Sequence, residues 1–159
     1  SFPTTSGAIN QVMVNNGSGV LEWGDNTGGG VSIYEVKLVI PSVDVLTLNS
    51  VPVELVPAPG AGFVIDILSA SMKMVFNSVA YATNTRLQLL TAGATLKQFE
   101  FNSAVLTSAS STFNATTKSA QSGINLIENA AVNVTVYVGN PTAGDSDITI
   151  YATYRIITL

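Results

Sequence analysis

Histidine and cysteine are both missing from the 159 residues, so chemistry would fall to ten Asp and Glu, six Lys and Arg, and the hydroxyl, amide and aromatic side chains. Their absence removes a disulfide, a thiolate nucleophile, a Cys/His zinc site and a Ser-His-Asp triad together. Ten carboxylates permit, in principle, a glycosidase-like acid pair. Most of them sit in turn-like stretches or alternate toward solvent, where hydration is the ordinary explanation. Asp66 and Glu100 lie inside strand-like runs and are the two that could project into a cleft. Asp145-Ser146-Asp147 has the alternating carboxylates that open a cation loop, but the further acidic ligands are missing, and a turn before a strand accounts for it. Gly28-Gly29-Gly30 and Pro59-Gly60-Ala61-Gly62 are followed by neither Lys-Ser/Thr nor a helix, so neither cradles phosphate. The glycosylation-like triplets at Asn16, Asn114 and Asn133 are expected by chance in a chain this rich in Asn, Ser and Thr. The expectation is a protein that is not an enzyme and holds no metal or cofactor.

Aromatic rings are the remaining candidates for recognition. Trp23, Tyr34, Tyr81, Tyr137, Tyr151 and Tyr154 each offer an apolar face with a polar edge, suited to stacking on sugars or packing across subunits. On strands, ordinary cross-strand packing competes with that reading for every one of them. Tyr137 and Tyr151 stand out because each falls on the parity opposite its strand's main apolar row, which places it on an outer face available for surface recognition or subunit contact.

Charge narrows the partners. Only 10% of residues are charged, against roughly 25% in an ordinary soluble domain. The six cations, Lys37, Lys73, Arg86, Lys97, Lys118 and Arg155, are scattered singly, whereas a nucleic-acid backbone calls for clustered ones; nucleic acid is not an expected partner. A membrane is not expected either, because the most apolar stretch, 51–65, is broken by Glu54, Pro57, Pro59 and two glycines and falls short of about 20 apolar residues. The first residues lack the basic-then-apolar layout of a signal peptide. Ser, Thr and Asn fill more than a quarter of the chain in place of charge. With 47% hydrophobic residues, such a surface is unfavourable for an isolated monomer, and coverage by other subunits is the simplest reconciliation.

The elements that must position these residues read as β throughout. Ile9 to Val14 alternates, Asn15-Asn16-Gly17-Ser18-Gly19 follows, and Val20-Leu21-Glu22-Trp23 closes a hairpin, since Asn-Gly supplies the positive φ such turns need. Gly24 to Gly30 reads as a flexible linker, giving a boundary between 1–30 and 31–159. Strands are expected over 31–40, 53–56, 63–76, 86–90, 96–101, 132–138 and 148–157, with one helical turn over 42–48 capped by Ser42 and a long loop over 106–123 holding one strand at most. In 63–76, Val64, Leu68, Ala70, Met72, Met74 and Phe76 share a parity interrupted only by Asp66. Strands joined by turns rather than helices exclude a parallel α/β sheet and predict an all-β, antiparallel sandwich of jelly-roll type with a short N-terminal hairpin.

The segment 7–23, with its Gln11-Val12-Met13-Val14 start, Asn16-Gly17-Ser18-Gly19 turn and closing Trp23, resembles a short module of tail-fibre and other fibre proteins of bacteriophages. The body resembles small virion proteins of tailed phages in Val56-Pro57-Ala58-Pro59-Gly60-Ala61-Gly62, Ala80-Tyr81-Ala82-Thr83-Asn84-Thr85, Ile127-Glu128-Asn129-Ala130-Ala131 and the 139–147 turn. The resemblance implies a β-rich, usually trimeric protein of the virion surface, a head fibre, decoration protein or tail-fibre type, bound to other virion proteins of capsid or tail through an N-terminal attachment region. In that reading Val12, Val14, Leu21 and Trp23 anchor the chain. It implies no catalytic residue. A second expectation is a lectin-like tip that stacks aromatics on host-surface glycans, and a third, weaker one is a depolymerase using Asp66 or Glu100.

Overall fold

A computed structural model describes residues 3, 11–15, 17–25, 32–116 and 126–159. The chain divides into two compact units, Ser1–Gly30 and Val31–Leu159.

In the first unit, β1 (Gln11–Asn15) pairs antiparallel with β2 (Leu21–Asp25). The register runs from Gln11 opposite Asp25 to Asn15 opposite Leu21. Gly17 and Gly19 both take positive φ in the connection, and Gly17 N–H donates to Asn15 Oδ1 at 3.0 Å. The expected Gly-rich linker falls largely outside the described residues, as does Asn16.

In the second unit, Pro41 ends β3 (Ile33–Ile40), and one helical turn, α1 (Ser42–Val45), follows. Then come β4 (Val53–Val56), β5 (Phe63–Met74), β6 (Leu87–Thr91), β7 (Phe99–Glu100), a 3-10 turn (Ser103–Val105), β8 (Thr112–Thr116), β9 (Val132–Val136) and β10 (Ile148–Thr158). They form two four-stranded sheets, ordered β3-β10-β5-β8 and β4-β9-β6-β7. Every strand pair is antiparallel, so the all-β antiparallel expectation holds. Four of the pairs are nested: β3 with β10, β4 with β9, β5 with β8 and β6 with β7.

Inward residues of both sheets share one buried cluster. Ile40 comes from β3, Ile65, Ile67, Ala70, Met72 and Met74 from β5, Leu87 and Leu89 from β6, and Ile148, Ile150 and Ala152 from β10. The valines of β9, Val132, Val134 and Val136, enter the same cluster by strict alternation.

Three local expectations are corrected. The single parity expected along 63–76 breaks at a β-bulge: Ser69 faces Thr153 but Ile67 faces Tyr154, leaving Leu68 as the extra residue. The bulge shifts the inward set from Ala70, Met72 and Met74 to Ile65 and Ile67, and Val64 and Asp66 fall on the other parity. Ser42 is not the cap of α1; Pro41 holds that position without a side-chain bond, and Ser42 N–H donates instead to Asp147 Oδ1 at 2.9 Å. Finally, β7 is two residues long, because Gln98 turns into the core rather than extending the strand.

Candidate functional site

Tyr151 sits near the middle of β10, opposite Lys37 of β3 on one side and Ser71 of β5 on the other. The inward row of β10 is Ile148, Ile150 and Ala152, so the period-two alternation turns Tyr151 outward. It borders a depression of about 470 Å³ lined by Glu35, Lys37, Ser69, Ser71, Tyr151 and Thr153 among others. Lys37 Nζ stands 5.9 Å from the centre of the Tyr151 ring, within reach of a cation–π attraction. Across the depression Ser69 Oγ and Thr153 Oγ1 share a 2.6 Å hydrogen bond. The arrangement offers a flat ring, one acid, one base and aliphatic hydroxyls on a shallow floor.

Tyr137 lies just past the end of β9 and is 58% exposed. Its N–H donates to Arg86 C=O at 3.0 Å, which continues the β9–β6 ladder by one step. The Arg86 guanidinium carbon stands 5.4 Å and Lys97 Nζ 5.7 Å from the ring centre. Glu100 gathers the same cations: Lys97 Nζ is 2.5 Å and Arg86 Nε 3.9 Å from its carboxylate, and Gln88 Nε2 donates to it at 3.3 Å. Two cations well separated in sequence thus meet at one ring. Sequence reasoning missed this cluster, because only the β6–β7 pairing brings 86, 88, 97 and 100 together. Tyr137 and Tyr151 belong to different sheets and do not form one site.

The two carboxylates weighed as acids are both engaged. Asp66 is buried and accepts from Arg155 Nε at 2.9 Å, and Glu100 is the hub just described. Among the described residues no three His, Cys, Asp or Glu side chains gather as a metal site, and no helix is long and apolar enough to cross a membrane.

The 145–147 loop is a knot of hydrogen bonds. Asp145 accepts from Ser78 N–H and Val79 N–H at 3.0 and 2.9 Å, from Asn77 Nδ2 at 2.9 Å and from the Ser78 hydroxyl. These donors, the Ser78 hydroxyl foremost, hold its pKa at about 2. Tyr81, a recognition candidate by sequence, is instead a core residue that donates its hydroxyl to Ser146 C=O at 2.5 Å. Burial, with the Asp147 and Asp145 charges behind it, pushes its ionisation upward, so it stays a protonated donor. Tyr34 and Tyr154 stack on each other, ring centres 5.3 Å apart.

The four N-terminal anchor residues fall on opposite parities of the hairpin register. Val12 and Val14 are paired with Gly24 and Glu22, while Leu21 and Trp23 are paired with Asn15 and Met13. Val14 lies against Gly24, where a Cβ would come 2.7 Å from Val14 Cγ2. Met13, which the sequence does not single out, is exposed across from Trp23.

No protein-family model and no curated protein sequence matches the chain. Among solved structures it is similar to a chain described as the cyanophage Pam1 capsid asymmetric unit, with a TM-score of 0.44 and 19% identity over 83% of this chain and 89% of that one.

Proposed function

We propose that the protein is a structural component of a phage particle, a homotrimeric head-fibre or decoration protein on the virion surface, with the N-terminal hairpin as its attachment segment. The observation that carries the reading is a body poor in charge whose outer surface keeps large apolar side chains: Val43, Val51 and Phe113 are 67%, 62% and 65% exposed. Burial between subunits relieves that exposure. The nested strand pairs and the two sheet orders support a jelly-roll sandwich, an architecture common in capsid and lectin domains. Apolar residues on both parities of the β1–β2 register, Val12 and Val14 on one and Leu21 and Trp23 on the other, support a role for 11–25 in docking onto another virion protein. No catalytic step belongs to this reading.

The mass of the intact chain in solution tests it. Three chains per particle and recovery of the chain with purified virions are expected; a monomer absent from virions overturns it. Trp23→Ala in the intact chain is expected to lower virion recovery while leaving the solution mass unchanged.

The depression beside Tyr151 favours a second reading, a glycan-binding tip. Glycan-array binding lost with Tyr151→Ala and kept with Tyr137→Ala supports it, and an array with no signal removes it. Polysaccharide breakdown abolished by Asp66→Asn or Glu100→Gln would instead restore the depolymerase.

A further inference from the structure

The sheet β3-β10-β5-β8 ends in β3, which among the described residues pairs on one side only, with β10. Such an edge presents unmatched backbone N–H and C=O groups and is a template for another strand. The sequence of this edge is Ile33-Tyr34-Glu35-Val36-Lys37-Leu38-Val39. Read from its centre, it is its own complement: apolar, apolar, acid, Val36, base, apolar, apolar.

We propose that β3 is a docking edge for β3 of a second copy of this chain, antiparallel and centred on Val36. In that register Glu35 lies opposite Lys37 of the second copy, and Lys37 opposite Glu35, so a single two-fold axis satisfies both pairs. Ile33 lies opposite Val39, side chains that are 64% and 54% exposed in the single chain. These four residues share one parity of β3, the outer one, since Ile40 and the partly buried Val36 and Leu38 pack on the core. Tyr34 lies opposite Leu38 on the inner parity, extending each core toward the axis. The interface is isologous, as a two-fold contact must be.

The charges also exclude the neighbouring registers. Centring the pair on residue 35 sets Glu35 against Glu35, and centring it on residue 37 sets Lys37 against Lys37. Centring it between residues matches outer with inner parity and fails on both faces. An edge protected only against pairing needs charge, but it does not need this order of charges.

The contact goes beyond the proposed trimer, because it joins chains in twos rather than threes. Sedimentation of the intact chain therefore separates the two ideas: a doubling step in mass reports the β3 edge, and a threefold mass reports the trimer. Wild type is expected to show the doubling as concentration rises at low salt. Glu35→Lys and Lys37→Glu are each expected to lose it, since each sets like charges opposite one another. Mixing the two variants in equal amounts is expected to restore it, because an edge with bases at both positions then meets an edge with acids at both. The chain has no native cysteine, so Val36→Cys is expected to yield a single intermolecular disulfide in the associated protein. No doubling in wild type, doubling unaffected by either reversal, or a mixture that behaves as the sum of its parts overturns the proposal.

Discussion

Asp145 shows how a surface carboxylate can hold a loop through hydrogen bonds. Its pKa lies at about 2 against an ordinary 3.8, lowered by the Ser78 hydroxyl and the Val79 and Ser78 N–H groups. A carboxylate whose folded pKa is depressed stabilises the fold fully above its unfolded value and loses that contribution as pH falls through the folded one. Thermal melting is therefore expected to drop as pH falls from 3.8 toward about 2, and Asp145→Asn is expected to flatten that limb of the profile. Beside it, Gly144 has φ +89°, and a Cβ there would run into the Tyr81 ring. Gly144→Ala combines a left-handed backbone with overpacking and is expected to cost about 2–4 kcal/mol in chemical denaturation. Tyr81→Phe, which removes only the bond to Ser146, is expected to cost about 1 kcal/mol. The turn at 140–147 was legible from its Asn, Pro, Gly and Asp residues; that its polar atoms serve residues 42 and 77–81 was not, because those partners lie about 65 to 105 residues away.

At the scale of the element, β5 takes part of its pairing from a side chain. Among the described residues β8 pairs with it from Ala70 to Met74, and the backbone of Ile65 and Ile67 is met by a side chain. Gln98, fully buried, supplies it: its Oε1 accepts from Ile67 N–H at 2.8 Å, and its Nε2 donates to Ile65 C=O at 3.2 Å and to Thr91 Oγ1 at 2.9 Å. One amide side chain just before β7 thus bonds β5 of the first sheet and Thr91 of β6 in the second, tying the sheets together. Gln98→Ala strips both backbone groups of their partner and is expected to cost about 2–5 kcal/mol, read as a lower midpoint at unchanged denaturant slope. Most strands were legible because alternation survives in sequence, most plainly in Val132, Val134 and Val136. The bulge at Leu68 was not, since an extra residue is defined by its partner strand and only Tyr154 and Thr153 reveal it.

At the scale of the whole molecule, the two proposed associations are expected to respond differently to salt. The proposed trimer rests on apolar burial and is expected to keep its mass as ionic strength rises. The β3 edge rests partly on exposed opposite charges, which are screened over about 3 Å at 1 M salt. Its doubling step is therefore expected to weaken with added salt while the threefold mass persists; sedimentation across a salt series distinguishes them. The outer faces also divide the candidate site. Tyr151 stands over the floor of one sheet and Tyr137 among Arg86, Lys97 and Glu100 beside the other.

By itself the sequence determined the class of the protein. Alternation, turn residues and the absence of long helical periods are local properties, and local sterics are enough to write them as antiparallel strands. Missing His and Cys, and sparse charge, equally needed no coordinates to remove whole categories of chemistry. Which strands neighbour one another was decided only in three dimensions, because β3 closes on β10 and β5 crosses to β8 through pairings more than thirty residues apart. The same long-range closure put Tyr81 inside, gathered Arg86 and Lys97 at Tyr137, and left β3 at an edge. Side-chain type can be read along the chain; which side chain is covered depends on what the rest of the chain brings to it.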